Sequence, residues 1–330
     1  MDSAAALKRI RPYVRETPLQ HSPKLGEATG ATVHLKLENH QETGAFKLRG
    51  AANKLLSLSR EEAARGIVTA STGNHALAVA TMGGKLGIPV EIFVSEHIHP
   101  LKRARIEGLN ARVQAVAGDA LAAELAARRA GERSGRSYVS PYNDPVIIEG
   151  QGTLAVEVLQ QFAVLGAVRP DAVFVAVGGG GLVGGIGMHF RDSSPGTAIV
   201  GCWPANSPAL HACMQAGAII DVPEKPTFST STAGGVEPGA ITLPICQRVI
   251  DRDVLVSEDE ILDATRRVFR HDGQLIEGAA GVAVAAFLQS AGDYAGKTVV
   301  IIVCGGNVDP EFEARVRAEC SNARLAGENT

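Results

Sequence analysis

Strand-like and helix-like runs alternate along almost the whole chain, and this alternation limits the fold more than any other feature of the sequence. The run "ATVHLKLE" at 31–38 has the pattern of a strand, and "AFKLRGAANKLLSL" at 45–58 has the spacing of a helix with one apolar face. Further strands are predicted at 66–72 and 89–95, each followed by a helix. Strands joined through helices pair in parallel, because the helix returns the chain to the same end of the sheet. We therefore predict an α/β protein of two domains, each with a mainly parallel, helix-covered sheet.

The length of 330 residues is enough for two such sheets. The proline-containing stretch at 140–150 interrupts the alternation and marks one change of domain. We assign residues 1–65 and 146–330 to a large domain and residues 66–145 to a small one.

Composition excludes several classes of protein. A net charge of −3 and an aromatic fraction of 4% give no case for binding nucleic acid or an anionic membrane surface. The five cysteines are odd in number and lack C-x-x-C spacing, which argues against a disulfide framework or a zinc site and for a reducing compartment. No apolar run reaches the ~20 residues of a membrane span, and the N-terminus lacks a secretory signal. The expectation is a cytoplasmic protein.

The stretch "VFVAVGGGGLVGGIG" places four consecutive glycines, Gly178 to Gly181, between a buried strand and a helix. Glycine lets backbone N–H groups approach a ligand closely, and the helix N-terminus adds partial positive charge. A flexible turn with packing glycines is the alternative. We predict a phosphate-binding loop.

A dinucleotide is the weaker candidate for that phosphate. Gly179, Gly181 and Gly184 satisfy G-x-G-x-x-G, which also requires an acidic residue at the end of the next strand. That strand, "TAIVGCWP", ends in Trp203 and Pro204 without a carboxylate. No Walker lysine follows the loop, so an NTPase is weaker still.

Two further stretches place polar residues at helix entrances. In "QETGAFKLRGAANKLL", Lys47 follows a Thr-Gly turn, and taken alone it is a typical surface lysine. In "ASTGNHALA", Ser71 to His75 lie between a strand and a helix, where backbone N–H groups suit a carboxylate. A plain helix cap explains that turn equally well.

Taken together, these motifs resemble those of the pyridoxal-phosphate-dependent serine/threonine dehydratase family, the fold type II, tryptophan synthase beta-like group. The family's motifs, in family order, correspond to Thr43–Ala51 (T-G-S-F-K-x-R-G-A), Ser71–His75 (S-x-G-N-H), Gly178–Gly181 (the tetraglycine loop), Glu277–Val282 (E-x-x-A-G-V) and Cys304–Asn307 (S/C-G-G-N). The matches cover nearly the whole chain.

The resemblance implies roles for individual residues. Lys47 would form the Schiff base with pyridoxal phosphate and carry the α-proton once substrate displaces it. Phe46 would pack near the cofactor ring, and Asn74 would hydrogen-bond its 3′-oxygen. Gly178 to Gly181 would hold the phosphate.

The substrate side would be formed by the turn before Asn74. Ser71, Thr72, Gly73 and His75 would shape a site for the substrate carboxylate, largely through backbone groups. The Thr72 hydroxyl stands where racemizing relatives have serine and would be the candidate acid for the second face of the α-carbon. For His75 we expect a structural role without proton transfer.

Cys304 would face the pyridine nitrogen and Glu277 the ring edge. A thiol cannot protonate that nitrogen as a carboxylate would, which favours elimination over transamination. Without the resemblance, Cys304 is equally a buried cysteine ending a core strand, and Glu277 a surface carboxylate.

Three departures from the family pattern carry expectations of their own. Ala45 replaces the serine usual before the Phe-Lys pair, so a hydroxyl often near the phosphate is missing. Residues 203–209, "WPANSPA", lack the two carboxylates of metal-activated relatives, so we expect no activating divalent cation there. The chain ends soon after the cofactor domain, so we expect a member without a regulatory domain, either an enzyme of amino-acid catabolism or a specialised one.

The resulting prediction is a pyridoxal-phosphate lyase that converts a 3-hydroxy amino acid, such as L-threonine or L-serine, into a 2-oxo acid and ammonia. The alternatives are a serine-type racemase, a dehydratase specialised for phenylserine or hydroxyaspartate, and, in another class, an NAD-dependent oxidoreductase. Partners implied are an amino-acid substrate and a second copy of the chain in a homodimer.

Overall fold

The computed structural model describes residues 1–27, 29–118 and 120–327. The strands are β1 Leu19–His21, β2 Thr32–Leu37, β3 Ile67–Ala70, β4 Val90–Ser95, β5 Arg112–Val116, β6 Ser137–Tyr138, β7 Ala172–Ala176, β8 Ala198–Pro204, β9 Arg252–Val256 and β10 Thr298–Val303. The helices are α1 Ser3–Ile10, α2 Pro23–Glu27, α3 Lys47–Leu56, α4 Arg60–Arg65, α5 Asn74–Leu86, α6 Pro100–Glu107, α7 Ala120–Ser134, α8 Pro145–Val164, α9 Gly181–Ser193, α10 Ala209–Ala216, α11 Thr242–Val249, α12 Glu258–Asp272, α13 Gly278–Ser290 and α14 Pro310–Gly327.

The larger sheet contains six strands in the order β1-β2-β10-β7-β8-β9. All neighbours pair in parallel except the edge strand β1, which runs antiparallel to β2. Strands β7 and β10 lie in the middle and are apolar and buried almost throughout, as expected of parallel strands covered by helices on both faces. The predicted α/β class with mainly parallel, helix-covered sheets is confirmed.

The smaller sheet contains four parallel strands in the order β5-β4-β3-β6. Its main apolar cluster includes side chains of β3, β4 and α5, and also Leu48 and Leu55 of α3 and Ile10 of α1. Side chains from both sides of residue 65 therefore share this cluster. The predicted domain bounds remain a prediction.

Parallel sheets place their functional loops where strands end. Gly178–Gly181 follow β7, Cys304 follows β10, and the turn at 71–73 follows β3. The segment before α3 joins them through the backbone, because Ala45 and Gly305 form an antiparallel bridge. The fold thus brings segments distant in sequence to one region.

A fully buried group of charged side chains lies beside this region. The Arg49 guanidinium on α3 binds Glu38 with two N–H groups at 2.8 Å and Glu157 of α8 at 2.7 Å and 3.0 Å. Lys36 of β2 donates to Glu157 at 2.9 Å. These four side chains have no solvent exposure. Because unpaired charges are costly to bury, this cluster fixes α3 against β2 and α8, and hence the start of α3.

Among the described residues, no helix combines the length and the apolar composition needed to cross a bilayer.

Candidate active site

Lys47 is the first residue of α3, as its place after the Thr-Gly turn predicted. The segment before it is held by the loop after β10, because the Phe46 N–H donates to the Cys304 carbonyl at 3.0 Å and the Gly306 N–H donates to the Gly44 carbonyl at 2.9 Å. These bonds fix the backbone of Lys47 relative to Cys304.

The side chain of Lys47 is half-buried, and no carboxylate of the described residues is in direct contact with it. Its Nζ donates to the Pro141 carbonyl at 2.7 Å and lies 5.1 Å from the centre of the Phe46 ring. Loss of hydration around the ammonium lowers the pKa of Lys47 to about 8, although the nearby Cys304 and Glu277 oppose this shift. The amine therefore gains and loses a proton near neutral pH. A surface lysine does not behave in this way.

Asn74 lies at the first turn of α5 and is held on both sides. Its Nδ2 donates to both carboxylate oxygens of Glu277 at 3.0 Å, and its Oδ1 accepts from Asn307 Nδ2 at 2.7 Å. The Asn307 amide also donates to the Thr43 carbonyl at 2.8 Å. The orientation of Asn74 is thereby fixed by residues from α13 and from the loop after β10.

Glu277 and Cys304 are both buried beside Lys47. Burial raises the pKa of Glu277 despite hydrogen bonds from Asn74. Burial and the charge of Glu277 raise the pKa of Cys304, so its thiol is protonated at neutral pH. The site combines a neutral thiol, a carboxyl group of raised pKa and an amine of lowered pKa.

The tetraglycine loop runs from the end of β7 into the N-terminus of α9. A Cβ at Gly178 would lie 2.9 Å from the Thr232 backbone, and one at Gly179 would overlap the ring of Tyr142. Gly180 has a φ of +86°, in the left-handed region that favours glycine. Within the described ranges, the N–H groups of Gly178 to Gly181 donate to no protein acceptor. The loop therefore presents free donors at a helix N-terminus, which is suited to a phosphate.

The turn at 71–75 lies at the end of β3, half-buried at Ser71, Thr72 and Gly73. The Ser71 hydroxyl accepts from the Gly73 N–H at 3.2 Å. His75 is buried, and its Nε2 lies 3.0 Å from the Thr69 hydroxyl and 3.1 Å from the Val139 carbonyl. Burial and the charge of Lys47 lower the pKa of His75 to about 3. Its ring therefore links β3 to the segment after β6 as a neutral group.

The structure thus brings Lys47, Asn74, Glu277 and Cys304 together, with the turn at 71–73 beside Asn74. The sequence did not predict the hydrogen bonds of Asn307, although the motif Cys304–Asn307 contains that residue. It also did not predict the packing of Tyr142 on the glycine loop. Tyr142 gives no sequence signal, since it is one aromatic residue in an irregular segment. Ala45, which stands in place of the family's usual serine, is fully buried and forms the backbone bridge to Gly305.

Comparison with known families gives a match over most of the chain. A family model described as pyridoxal-phosphate dependent enzyme matches residues 10–305. An L-threonine ammonia-lyase of Geobacter sulfurreducens is 39% identical, covering 91% of this chain and 73% of the relative. An L-threonine ammonia-lyase of Thermotoga maritima is 36% identical over 96% and 77%. A beta-hydroxyaspartate dehydratase of Paracoccus denitrificans is 32% identical over 93% and 96%.

Solved structures agree with these sequence matches. A serine racemase from Dictyostelium discoideum superimposes with a TM-score of 0.85 at 31% identity, covering 93% of this chain and 98% of that one. The processed form of threonine deaminase isoform 2 from Solanum lycopersicum gives a TM-score of 0.87 at 30% identity, covering 96% and 92%.

Proposed function

The chain belongs to the pyridoxal-phosphate dependent enzymes, in their fold type II serine/threonine dehydratase group, and on this premise we propose that it removes water and ammonia from L-threonine or L-serine. The products are the 2-oxo acid and ammonia, since the water lost from the substrate is regained when the nitrogen is released. The observation that carries the proposal is the Lys47 amine, whose pKa burial lowers to about 8 beside Asn74, Glu277 and Cys304.

The residues present fit pyridoxal phosphate. When bound, it supplies an aldehyde that links to amines and a ring that accepts electrons from the α-carbon. The free N–H donors of Gly178 to Gly181 would hold its phosphate, Asn74 its 3′-oxygen and Cys304 its ring nitrogen, with Phe46 against the ring and Glu277 behind Asn74. The thiol of Cys304 would keep its proton and leave the ring nitrogen unprotonated. This supports elimination rather than transamination.

Lys47 would move the α-proton. An amine with a pKa near the working pH is effective both as a base and as an acid, so Lys47 takes the proton from the α-carbon as the β-hydroxyl leaves. The substrate carboxylate would be held by backbone N–H groups of the turn at 71–73 and the N-terminus of α5. His75, neutral and bonded to β3, takes no part in the proton transfer.

The experiment that tests the proposal is a panel of 3-hydroxy amino acids with the purified protein and pyridoxal phosphate. L-threonine, L-serine, phenylserine and 3-hydroxyaspartate are assayed for 2-oxo acid and ammonia in equal amounts. Release of both from at least one member is the expected result. A colourless protein that binds NAD and yields no 2-oxo acid would contradict it.

A serine-type racemase is the second candidate, favoured by the half-buried Thr72 in the substrate turn and by the likeness to a serine racemase structure. Thr72 would then deliver a proton to the second face of the α-carbon. One enantiomer of serine is supplied, and pyruvate and the other enantiomer are followed together. Racemization faster than elimination would replace the dehydratase assignment.

The same proposal includes a homodimer in the cytoplasm. Val164 and Val168, at and just beyond the end of α8, are 88% and 89% exposed, and a second copy of the chain would cover them. Cys202, Cys213, Cys246 and Cys304 are free thiols, as in a reducing compartment. Light scattering of the purified protein tests the dimer, and a monomer mass would contradict it.

A further inference from the structure

Arg105 of α6 lies at the edge of the candidate active site. Its Nη2 donates to Asn307 Oδ1 at 2.9 Å, and Asn307 in turn donates to Asn74 Oδ1 at 2.7 Å. Asn74 begins α5, directly after the turn proposed to hold the substrate carboxylate. The guanidinium is therefore linked through Asn307 to Asn74, the residue that follows this turn.

The charge of Arg105 is not balanced within the described part of the chain, where it forms no ion pair. Its neighbour Arg103 on the same helix binds Glu107 at 2.8 Å. Arg128 contacts both Glu124 and Glu237. The Glu237 N–H donates to the hydroxyl of Tyr142, whose ring packs on the glycine loop. Arg105 thus differs from these arginines in having a neutral amide as its partner. Arg105 is exposed to solvent beside the candidate active site, and among the described residues only one of its five N–H groups has an acceptor. Such an arginine is suited to an anionic ligand.

A role limited to orienting Asn307 does not explain the position of Arg105 as well. Asn307 is already oriented by its two N–H bonds, to the Thr43 carbonyl and to Asn74. The bond from Arg105 adds a donor to an amide whose position is fixed without it. A solvent-exposed bond to a neutral amide is also weaker than a charge-assisted pair with a carboxylate, which a guanidinium binds with two parallel N–H groups.

We infer that Arg105 binds a second carboxylate of the substrate, and that the enzyme prefers a dicarboxylic 3-hydroxy amino acid of the 3-hydroxyaspartate class to L-threonine. This inference rests on the proposed dehydratase function and specifies its substrate. The turn at 71–73 and the N-terminus of α5 hold the α-carboxylate. Arg105 leaves Asn307 and pairs with the carboxylate at the other end of the substrate.

The test compares Arg105→Gln with Arg103→Gln, which removes a positive charge from the same helix away from Asn307. Both proteins and the wild type, loaded with pyridoxal phosphate, are assayed for kcat and KM with 3-hydroxyaspartate and L-threonine. Arg105→Gln is expected to raise KM for 3-hydroxyaspartate about 10- to 100-fold, at least ten times the change for L-threonine. Arg103→Gln is expected to leave kcat and KM for both substrates nearly unchanged.

Two results would overturn the inference. Equal losses on both substrates in Arg105→Gln would show that Arg105 acts through Asn307 and Asn74 instead. Unchanged KM for 3-hydroxyaspartate would show that the guanidinium does not reach the substrate. Arg105→Lys keeps the charge but not the paired N–H groups, and partial retention of 3-hydroxyaspartate affinity is expected for it.

A binding measurement separates this inference from the dehydratase assignment. Calorimetry of the cofactor-loaded protein compares succinate with butyrate, which has the same carbon count and one carboxylate. The wild type is expected to bind succinate at least tenfold more tightly, and Arg105→Gln to lose the difference. If no amino acid yields a 2-oxo acid but succinate is preferred through Arg105, the dehydratase proposal fails while the dicarboxylate site stands. No preference for succinate in the wild type would overturn the site itself.

Discussion

Lys47 and Arg49 are two residues apart at the start of α3, yet their side chains enter buried surroundings of opposite kinds. Arg49 is enclosed by Glu38 and Glu157, which outweigh the effect of burial and raise its pKa above the ordinary value. Lys47 has a neutral carbonyl as its closest partner, and burial lowers its pKa to about 8. One helix start therefore carries a cation whose charge is permanent and another whose charge is easily lost.

The carboxylates of the two regions differ in the same way. Burial alone would raise the pKa of Glu157, but Arg49 and Lys36 outweigh it and hold the pKa below the ordinary value. Glu277 receives hydrogen bonds from the neutral Asn74, which do not offset burial, so its pKa is raised. The difference teaches that matched charges fix a framework, whereas mismatched ones leave protons that chemistry can move.

The largest effect is expected from Lys47→Ala. Loss of the proposed cofactor link and proton carrier should reduce 2-oxo acid formation about 1,000-fold or more. The visible absorbance of the lysine-linked cofactor should be absent. The free energy of unfolding should not fall, because the substitution removes an ammonium that is poorly solvated. Activity, absorbance and urea unfolding measure these three properties, and a large loss of stability would place Lys47 with the structural charges.

The opposite behaviour is expected from Arg49→Met. It leaves the buried Glu38 and Glu157 with only Lys36 and the partly exposed Arg11 to balance them, which should lower the free energy of unfolding by about 3–5 kcal/mol. Arg11→Met is the matched control, since Arg11 also binds Glu157 at 2.9 Å but is 38% exposed. Its loss should be about 1 kcal/mol or less. Equal losses in urea unfolding would contradict the distinction between the buried cluster and its exposed edge.

The positions of the candidate site residues near helix starts could be predicted from the sequence, whereas the pairing of the buried charges could not. Lys47, Asn74 and Gly178 each lie where an apolar strand gives way to glycines and a helix start, and such local patterns are visible in one segment. The strand predicted at 66–72 is observed at Ile67–Ala70, and the one at 89–95 at Val90–Ser95. These elements follow from local side-chain periodicity.

The pairing of Arg49 with Glu157 could not be predicted, because it depends on α3 packing against α8, over a hundred residues later. Local patterns do not specify which helices meet. The same limit applies to Asn307 and Arg105, which are 202 positions apart. The strand prediction at 31–38 included Lys36 and Glu38 but gave no reason for their burial. Their partners come from other elements.

The smallest effect is expected from Glu277→Gln. The direction in which its effect on the free energy of unfolding changes with pH distinguishes the candidate site from the buried charge cluster. The folded protein holds the Glu277 proton more tightly than the unfolded chain, whose value is near 4.5. Stability contributed by this group is therefore present below pH 4.5 and lost as pH rises through the raised pKa. In protein without added cofactor, Glu277→Gln should equal or exceed wild-type stability at pH 7. The gain should shrink toward pH 4.5.

Glu157→Gln is the control, because the same substitution in the charge-matched cluster should give the reverse slope. The pKa of Glu157 is lowered in the folded protein, so its contribution is present above pH 4.5 and lost as pH falls through the lowered pKa. The stability deficit of Glu157→Gln should thus be largest above pH 4.5 and shrink as pH falls below it, while Glu277→Gln improves relative to wild type as pH rises above 4.5. Urea unfolding from about pH 3 to pH 7 covers both windows, below 4.5 for Glu157 and above 4.5 for Glu277. Slopes of the same sign would mean that the protons of Glu277 and Glu157 are held alike, and that the site is not distinguished from its framework by charge balance.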